Sequence, residues 1–193
     1  GEFVSADEFA EYSQRFLLLE NAGLPLASKA GGIGEFTGDN RKVLLAESLF
    51  GQGQMQVTPL AIARMTLMIA GGGSAPKPYL VERVAGPSGR TLYRARTQQM
   101  EAAVSAESAA TVAGMMVNVV EEGTGQVASL SGVEVAGKTG SAENPHGQAH
   151  SWFTAFAPAE APQVVVTVVV ENAGAGSEAA GPIVSELMEY LLD

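Results

Sequence analysis

The sequence predicts an α/β protein of the α+β type, an antiparallel sheet flanked by helices. Three observations carry that prediction. Helical segments start at capping residues Ser5, Thr58 and Ser105. Three strand-like segments follow one another between Val133 and Glu171, forming an antiparallel unit toward the end of the chain. A final segment with a helical apolar stripe is expected to pack on that sheet. No internal repeat is present.

Taken in order, Ser5 and Glu8 have the spacing of a capping box, and the helix they open is expected to run to about Leu19. Phe9, Tyr12, Phe16 and Leu19 mark its inner face. Residues 20–50 read as a long Gly-, Pro- and polar-rich connection with little periodicity, of the kind that is functional or packed on a partner surface. Thr58-Pro59 then starts a helix carrying Leu60, Ala63, Arg64, Leu67 and Met68 and ending at Gly71–Gly73; its methionines are read as core. Tyr79–Val84 and Arg90–Ala95 form a predicted solvent-facing hairpin around Gly86-Pro87-Ser88-Gly89. Ser105 caps a helix through about Glu121, with Val112, Met115, Met116, Val119 and Val120 inward, ended by Gly123 and Gly125. The strands are placed at Val133–Ser141, Ser151–Ala157 and Gln163–Glu171. Val164–Val170, broken only by Thr167, has the pattern of a strand covered on both faces. The closing helix, Ala179–Leu192, carries Ile183, Val184, Leu187, Met188 and Leu191.

The bulk properties set limits. With 193 residues, 46% of them hydrophobic, the chain forms one ordinary folded domain or a large part of one. A formal charge of −10 argues against nucleic acid or anionic lipid as a partner. There is no cysteine, hence no disulfide framework or thiolate metal site, a lack that leaves the compartment open. The longest apolar runs fall well short of the roughly 20 residues of a spanning helix. Gly1-Glu2-Phe3 has the look of a cloning remnant, which implies a chain cut from a longer one.

The stretch Val133–Ser141 changes character along its length. It opens with the alternation of a half-buried strand and ends as Lys138-Thr139-Gly140-Ser141. Gly140 lets a ligand backbone approach the strand edge. With a period of two, Thr139 and Ser141 project to one side, giving two hydroxyl donors beside the Lys138 ammonium. That set suits a peptide ending in a carboxylate. Strict alternation sends Lys138 to the other side, so it reaches a shared cleft only if the strand twists.

Lys-Thr-Gly is one of three motifs of penicillin-binding proteins and class A β-lactamases. Further stretches of this chain resemble the transpeptidase domain of class B penicillin-binding proteins in order and spacing. They are Gly51-Gln52-Gly53-Gln54 leading into Val57-Thr58-Pro59-Leu60; Ala70–Gly73 followed by Lys77–Val81; Val120–Gly125; and His150–Pro158. The similarity covers nearly the whole chain and is weakest over residues 20–50. It implies part of a β-lactamase-like fold and acyl transfer by a serine that cross-links the stem peptides of peptidoglycan and is acylated by β-lactams. It also implies a parent at the extracytoplasmic face of the bacterial membrane and no cofactor. Carried over, Lys138 would set the cleft electrostatics and poise a serine of the Ser-x-Asn motif. Thr139, Gly140 and Ser141 would bind the substrate carboxylate, and the Ser141 backbone N–H would supply one oxyanion donor. Ser141 stands where many relatives have threonine, and its hydroxyl preserves the donor.

The two other family motifs are missing. No Ser-x-Asn occurs, and the one Ser-x-x-Lys, Ser74–Lys77, carries Pro76 and is followed by Pro78, so no helical turn can set Lys77 over Ser74. The chain is therefore expected to be the C-terminal portion of one transpeptidase domain, without its nucleophile, inactive alone and prone to self-association. A binding or scaffold module that has lost catalysis, and a β-lactam sensor or β-lactamase relative, are the alternatives. His146 and His150 lack a nearby third ligand and are read as solvent-facing, with no metal expected. Trp152 is read as core, Asp7, Glu8 and Glu11 as a helix surface, and Glu143 as a surface loop.

Overall fold

The computed structural model describes residues 4–193; Gly1–Phe3 lie outside them. Helix α1, Ala6–Arg15, opens on the expected capping box. The Ser5 Oγ accepts the Glu8 N–H at 3.2 Å, and the Glu8 carboxylate takes the Ser5 N–H at 2.8 Å. The Ser5 hydroxyl, and after it the Ser5 backbone, hold the Glu8 carboxyl below its ordinary value. The helix ends at Arg15 rather than Leu19 because Leu17 turns left-handed, at φ 58°. Tyr12, expected on the inner face, is exposed, with the Arg15 guanidinium 5.0 Å above its ring. Leu18 takes the buried place instead.

Residues 20–50 are not a plain connection. Helix α2, Arg41–Leu49, lies within them and buries Leu45 and Ser48. Its cap residue Asn40 makes no side-chain bond, and Val43 faces solvent, so neither cap nor stripe marks it in the sequence.

Helix α3, Pro59–Ala70, starts where the Thr58 Oγ1 accepts the Ala61 N–H at 3.1 Å. Met68 is fully buried, as expected of a core methionine. Arg64 is only 4% exposed and binds backbone carbonyls, Leu17 O at 2.7 Å and Asn21 O at 3.1 Å. Burial lowers its pKa, an effect Glu20 partly offsets. Arg64 thus ties the left-handed turn after α1 onto α3.

The hairpin strands β1, Arg83–Ala85, and β2, Thr91–Arg94, are shorter than expected and exposed throughout. Helix α4, Ala106–Glu121, starts at Ser105, whose Oγ accepts the Ser108 N–H at 3.1 Å. It buries the narrow line Ala109, Met116 and Val120, while Val112 and Met115 turn outward at 39% and 61% exposure. The predicted inward face was too broad: α4 packs against β3 and α3 along one seam.

The sheet is antiparallel, in the order β3-β4-β5, with β3 at Ala136–Ala142, β4 at His150–Ala157 and β5 at Val164–Val170. Val133 lies outside the strand, bridged to Leu130 around Gly132 at φ 76°. Phe153, Ala155, Ala157 and Val166 share one core with Val184 and Met188 of helix α5, Ala180–Leu192. Ala136 and Phe156 share another with Ile69 of α3 and Met116 of α4. β5 is therefore covered on both faces, as its valines predict. Of the predicted stripe of α5, Val184 and Met188 are fully buried, but Ile183, Leu187 and Leu191 are 41%, 40% and 52% exposed. The apolar face of α5 is wider than three strands can cover.

Thr167, the lone polar residue of β5, ends a buried hydroxyl chain. Thr66 of α3 meets Thr154 of β4 at 2.8 Å, and Thr154 meets Thr167 at 2.6 Å. Thr154→Val removes the central link and leaves its partners short of a bond. It is expected to destabilise the chain by about 1–3 kcal/mol, read as a lower urea midpoint at unchanged slope.

Candidate active site at the open edge of β3

Lys138-Thr139-Gly140-Ser141 lie within β3, paired to β4 as Lys138↔Thr154, Thr139↔Phe153, Gly140↔Trp152 and Ser141↔Ser151. The other edge of β3 has no strand beside it among the described residues. In an antiparallel strand the N–H and C=O of one residue point the same way, and alternate residues share that direction. Three contacts show which way the odd residues point. The Thr139 carbonyl accepts from the Lys138 Nζ, the Ser141 carbonyl accepts the Gln52 Nε2 at 3.0 Å, and the Glu143 N–H reaches the Gln52 Oε1 at 3.3 Å. None of these partners belongs to β4, so the backbone of Thr139 and Ser141 faces the open edge, and the Ser141 N–H is aimed there.

The side chains divide between two faces. Thr139 Oγ1 is 2.7 Å from Thr124 Oγ1, and Ser141 Oγ accepts the Gly176 N–H at 3.4 Å. Lys138 starts on the opposite face, the one that carries Trp152 and Thr154, and its ammonium donates to Thr139 O on the open edge. Lys138 and Ser141 are exposed, Thr139 and Gly140 half-buried, so the four residues stay accessible.

Beside them lies a cavity of about 560 Å³, walled by Phe50, Met55, Ile62, Met65 and Trp152 as well as the Lys-Thr-Gly-Ser stretch. Trp152, expected in the core, is a half-buried cavity wall. Glu143 is exposed, as expected of a loop, yet lines the same cavity.

A family model for the penicillin-binding protein transpeptidase domain matches residues 2–189. The chain belongs to this transpeptidase family. It is 41% identical over 143 residues to the peptidoglycan D,D-transpeptidase PbpA of Mycolicibacterium smegmatis, covering 71% of this chain and 28% of that protein. With PbpA of Mycobacterium tuberculosis it shares 37% identity over 157 residues, 77% of this chain and 32% of that one. The solved ceftriaxone acyl-enzyme of M. tuberculosis penicillin-binding protein A superposes with a TM-score of 0.90 at 33% identity, covering 97% of this chain and 44% of that one. A D,D-transpeptidase domain from Eggerthella lenta gives a TM-score of 0.84 at 29% identity, over 97% and 48%. The chain thus spans about a third of the length of these curated relatives. The expected mixed α/β architecture is that of the solved transpeptidases.

Within the transpeptidase fold the remaining candidates fall into place. Ser74 Oγ donates to Met100 O at 2.7 Å, and Lys77 N–H donates to Gln98 O at 2.7 Å. The two residues serve an extended crossing and form no nucleophile pair. His146 is exposed, and His150 Nδ1 accepts the Asn172 N–H at 3.1 Å. No cluster of three metal-ligating side chains occurs among the described residues, and no helix there is long and apolar enough to cross a membrane. Two site residues were missed as such. Thr124 and Gln52 stand in the quoted stretches Val120–Gly125 and Gly51–Gln54, but nothing in their spacing shows that both reach β3.

Proposed function

We propose that this chain is the C-terminal part of a peptidoglycan D,D-transpeptidase domain and supplies one wall of a serine acyl-transfer site. The observation that carries the reading is the outward-facing Ser141 N–H, flanked by Lys138 and the Thr139 hydroxyl on an open strand edge. When a serine Oγ bonds to the carbonyl carbon of the acyl donor, negative charge gathers on the carbonyl oxygen, and the Ser141 N–H donates to it. The second oxyanion donor is the N–H of the nucleophile itself. Thr139 and Ser141 hydroxyls bind the carboxylate of the stem peptide or β-lactam, Gly140 leaves room along the edge, and Lys138 favours negative charge in the cleft.

The nucleophile belongs to the preceding portion of the same domain, which the Phe50–Met65 cavity wall, the edge of β5 left unpaired among the described residues and the exposed Ile183, Leu187 and Leu191 are suited to receive. Those apolar surfaces also leave the isolated chain prone to self-association. The intact protein acts at the extracytoplasmic face of the membrane, where its substrate lies.

Labelling with a fluorescent penicillin tests the reading. The intact protein is expected to carry a covalent label that survives denaturing gel electrophoresis, whereas this chain alone is expected to carry none. Labelling of the isolated chain would place the nucleophile within it and overturn the division. An unlabelled intact protein would favour a binding module over an enzyme.

A further inference from the structure

We infer that Gln52 is a positioning residue for the oxyanion donor, holding the end of β3 through its side-chain amide; the inference rests on the acyl-transfer reading above. Its carboxamide makes two bonds to the strand edge, Nε2 to Ser141 O at 3.0 Å and Oε1 from Glu143 N–H at 3.3 Å. One primary amide therefore does for Ser141 and Glu143 what the backbone of a neighbouring strand would do. The amide orientation is set by chemistry: the Glu143 N–H can only donate, so the oxygen faces it and the nitrogen faces the Ser141 carbonyl.

The local structure is built to deliver this side chain. α2 ends at Leu49, and Gly51 and Gly53 on either side of Gln52 take φ of 81° and 67°. Those values turn the chain sharply between α2 and α3, and glycine adopts them without the steric cost that other residues meet. Gln52 lines the cavity at the mouth of the site, whereas the next glutamine, Gln54, turns away to accept the Glu35 N–H at 3.3 Å.

The consequence follows from the extended geometry of the strand. The N–H and C=O of Ser141 point the same way, and Gln52 grips that carbonyl on the one edge of β3 that has no strand to brace it. Beyond Ala142 the ladder with β4 stops, so the strand end is held on its open edge by Gln52, with the Gly176 N–H on the Ser141 hydroxyl as a second tie. A carbonyl oxygen has a second lone pair, so the grip leaves Ser141 O able to accept from a bound ligand as well.

Two substitutions test this in the intact protein. Gln52→Met keeps length and loses both bonds. It is expected to lower the first-order rate of acylation by penicillin about tenfold, because the donor loses its alignment. The dissociation constant of the pre-covalent complex should stay within about twofold and the melting temperature should not move. Gln52→Glu gives a second signature. As a carboxylate the new group repels Ser141 O; as a carboxylic acid it presents one donor and one acceptor, as the amide does. Its acylation rate relative to wild type is therefore expected to recover as pH falls through the carboxyl pKa. In this chain alone, Gln52→Met should speed hydrogen exchange at the Glu143 amide. Wild-type acylation by Gln52→Met would overturn the inference, as would rate, affinity and melting temperature all worsening together, the mark of a merely structural residue. If the wild-type intact protein is not acylated at all, the functional reading fails and takes this role with it. The exchange measurement then still reports whether the contact exists.

Discussion

Alanine at Lys138 is expected to slow acylation of the intact transpeptidase by penicillin about a hundredfold to a thousandfold, while the stability of this chain stays within about 0.5 kcal/mol. The two halves of that expectation have separate causes. Lys138 is exposed and among the described residues its ammonium bonds only the Thr139 carbonyl, so the fold loses little when it goes. Its charge, however, stands at the open edge near the Ser141 N–H, on the wall of a cavity of mixed polar and apolar lining where it is less screened than in bulk water. On the proposed reading, a serine on the far side of the cleft would gain its nucleophilic form more easily near that charge, and a substrate carboxylate would be drawn to it. Arginine retains the charge but spreads it over a rigid fork, so Lys138→Arg is expected to restore only part of the rate. Rates are read by stopped-flow with a chromogenic β-lactam and stability by urea titration. A Lys138→Ala protein acylated at the wild-type rate would remove Lys138 from the site.

Phe153→Ala is the substitution expected to destabilise the chain most, by about 3–5 kcal/mol. Phe153 is 1% exposed and shares its core with Val120, Ala155, Val184 and Met188. Its ring rests on glycines. A Cβ added at Gly137, Gly125 or Gly181 would stand 2.9, 3.3 or 3.4 Å from a ring carbon. Those glycines belong to β3, to the turn after α4 and to α5, elements that cannot all move inward at once, so the space left by the ring stays largely open. Because Phe153 pairs with Thr139, the loss also loosens the strand that carries the site. Urea denaturation followed by circular dichroism measures the effect. A loss below about 1 kcal/mol would show a core able to close over the gap.

Much of this architecture is legible in the residues because its causes are local. Ser5, Thr58 and Ser105 cap helices, and each hydroxyl does accept the N–H three residues on. Val164–Val170 reads as a strand covered on both faces because every second side chain meets a different helix. Lys138-Thr139-Gly140-Ser141 stands out because no packing demand explains a strand that ends on a cation and two hydroxyls. Where local signals were weak, the reading erred. α2 has no side-chain cap and buries only Leu45 and Ser48, so residues 41–49 pass for loop. Leu17 carries no mark of its left-handed turn, which is held by Arg64 from a helix more than forty residues away.

The sequence by itself determined the element types outside residues 41–49, the strand that bears the motif and the family to which the chain belongs, since period, capping chemistry and motif order all act over a few residues. Only the tertiary structure decided which backbone groups of that strand look outward, that the Lys138 ammonium meets the Thr139 carbonyl there, and that Gln52 and Thr124 arrive from distant segments to contact the strand. Those outcomes depend on which surfaces remain once sheet and helices have packed, and a contact between residues 52 and 141 leaves no periodic trace along the chain.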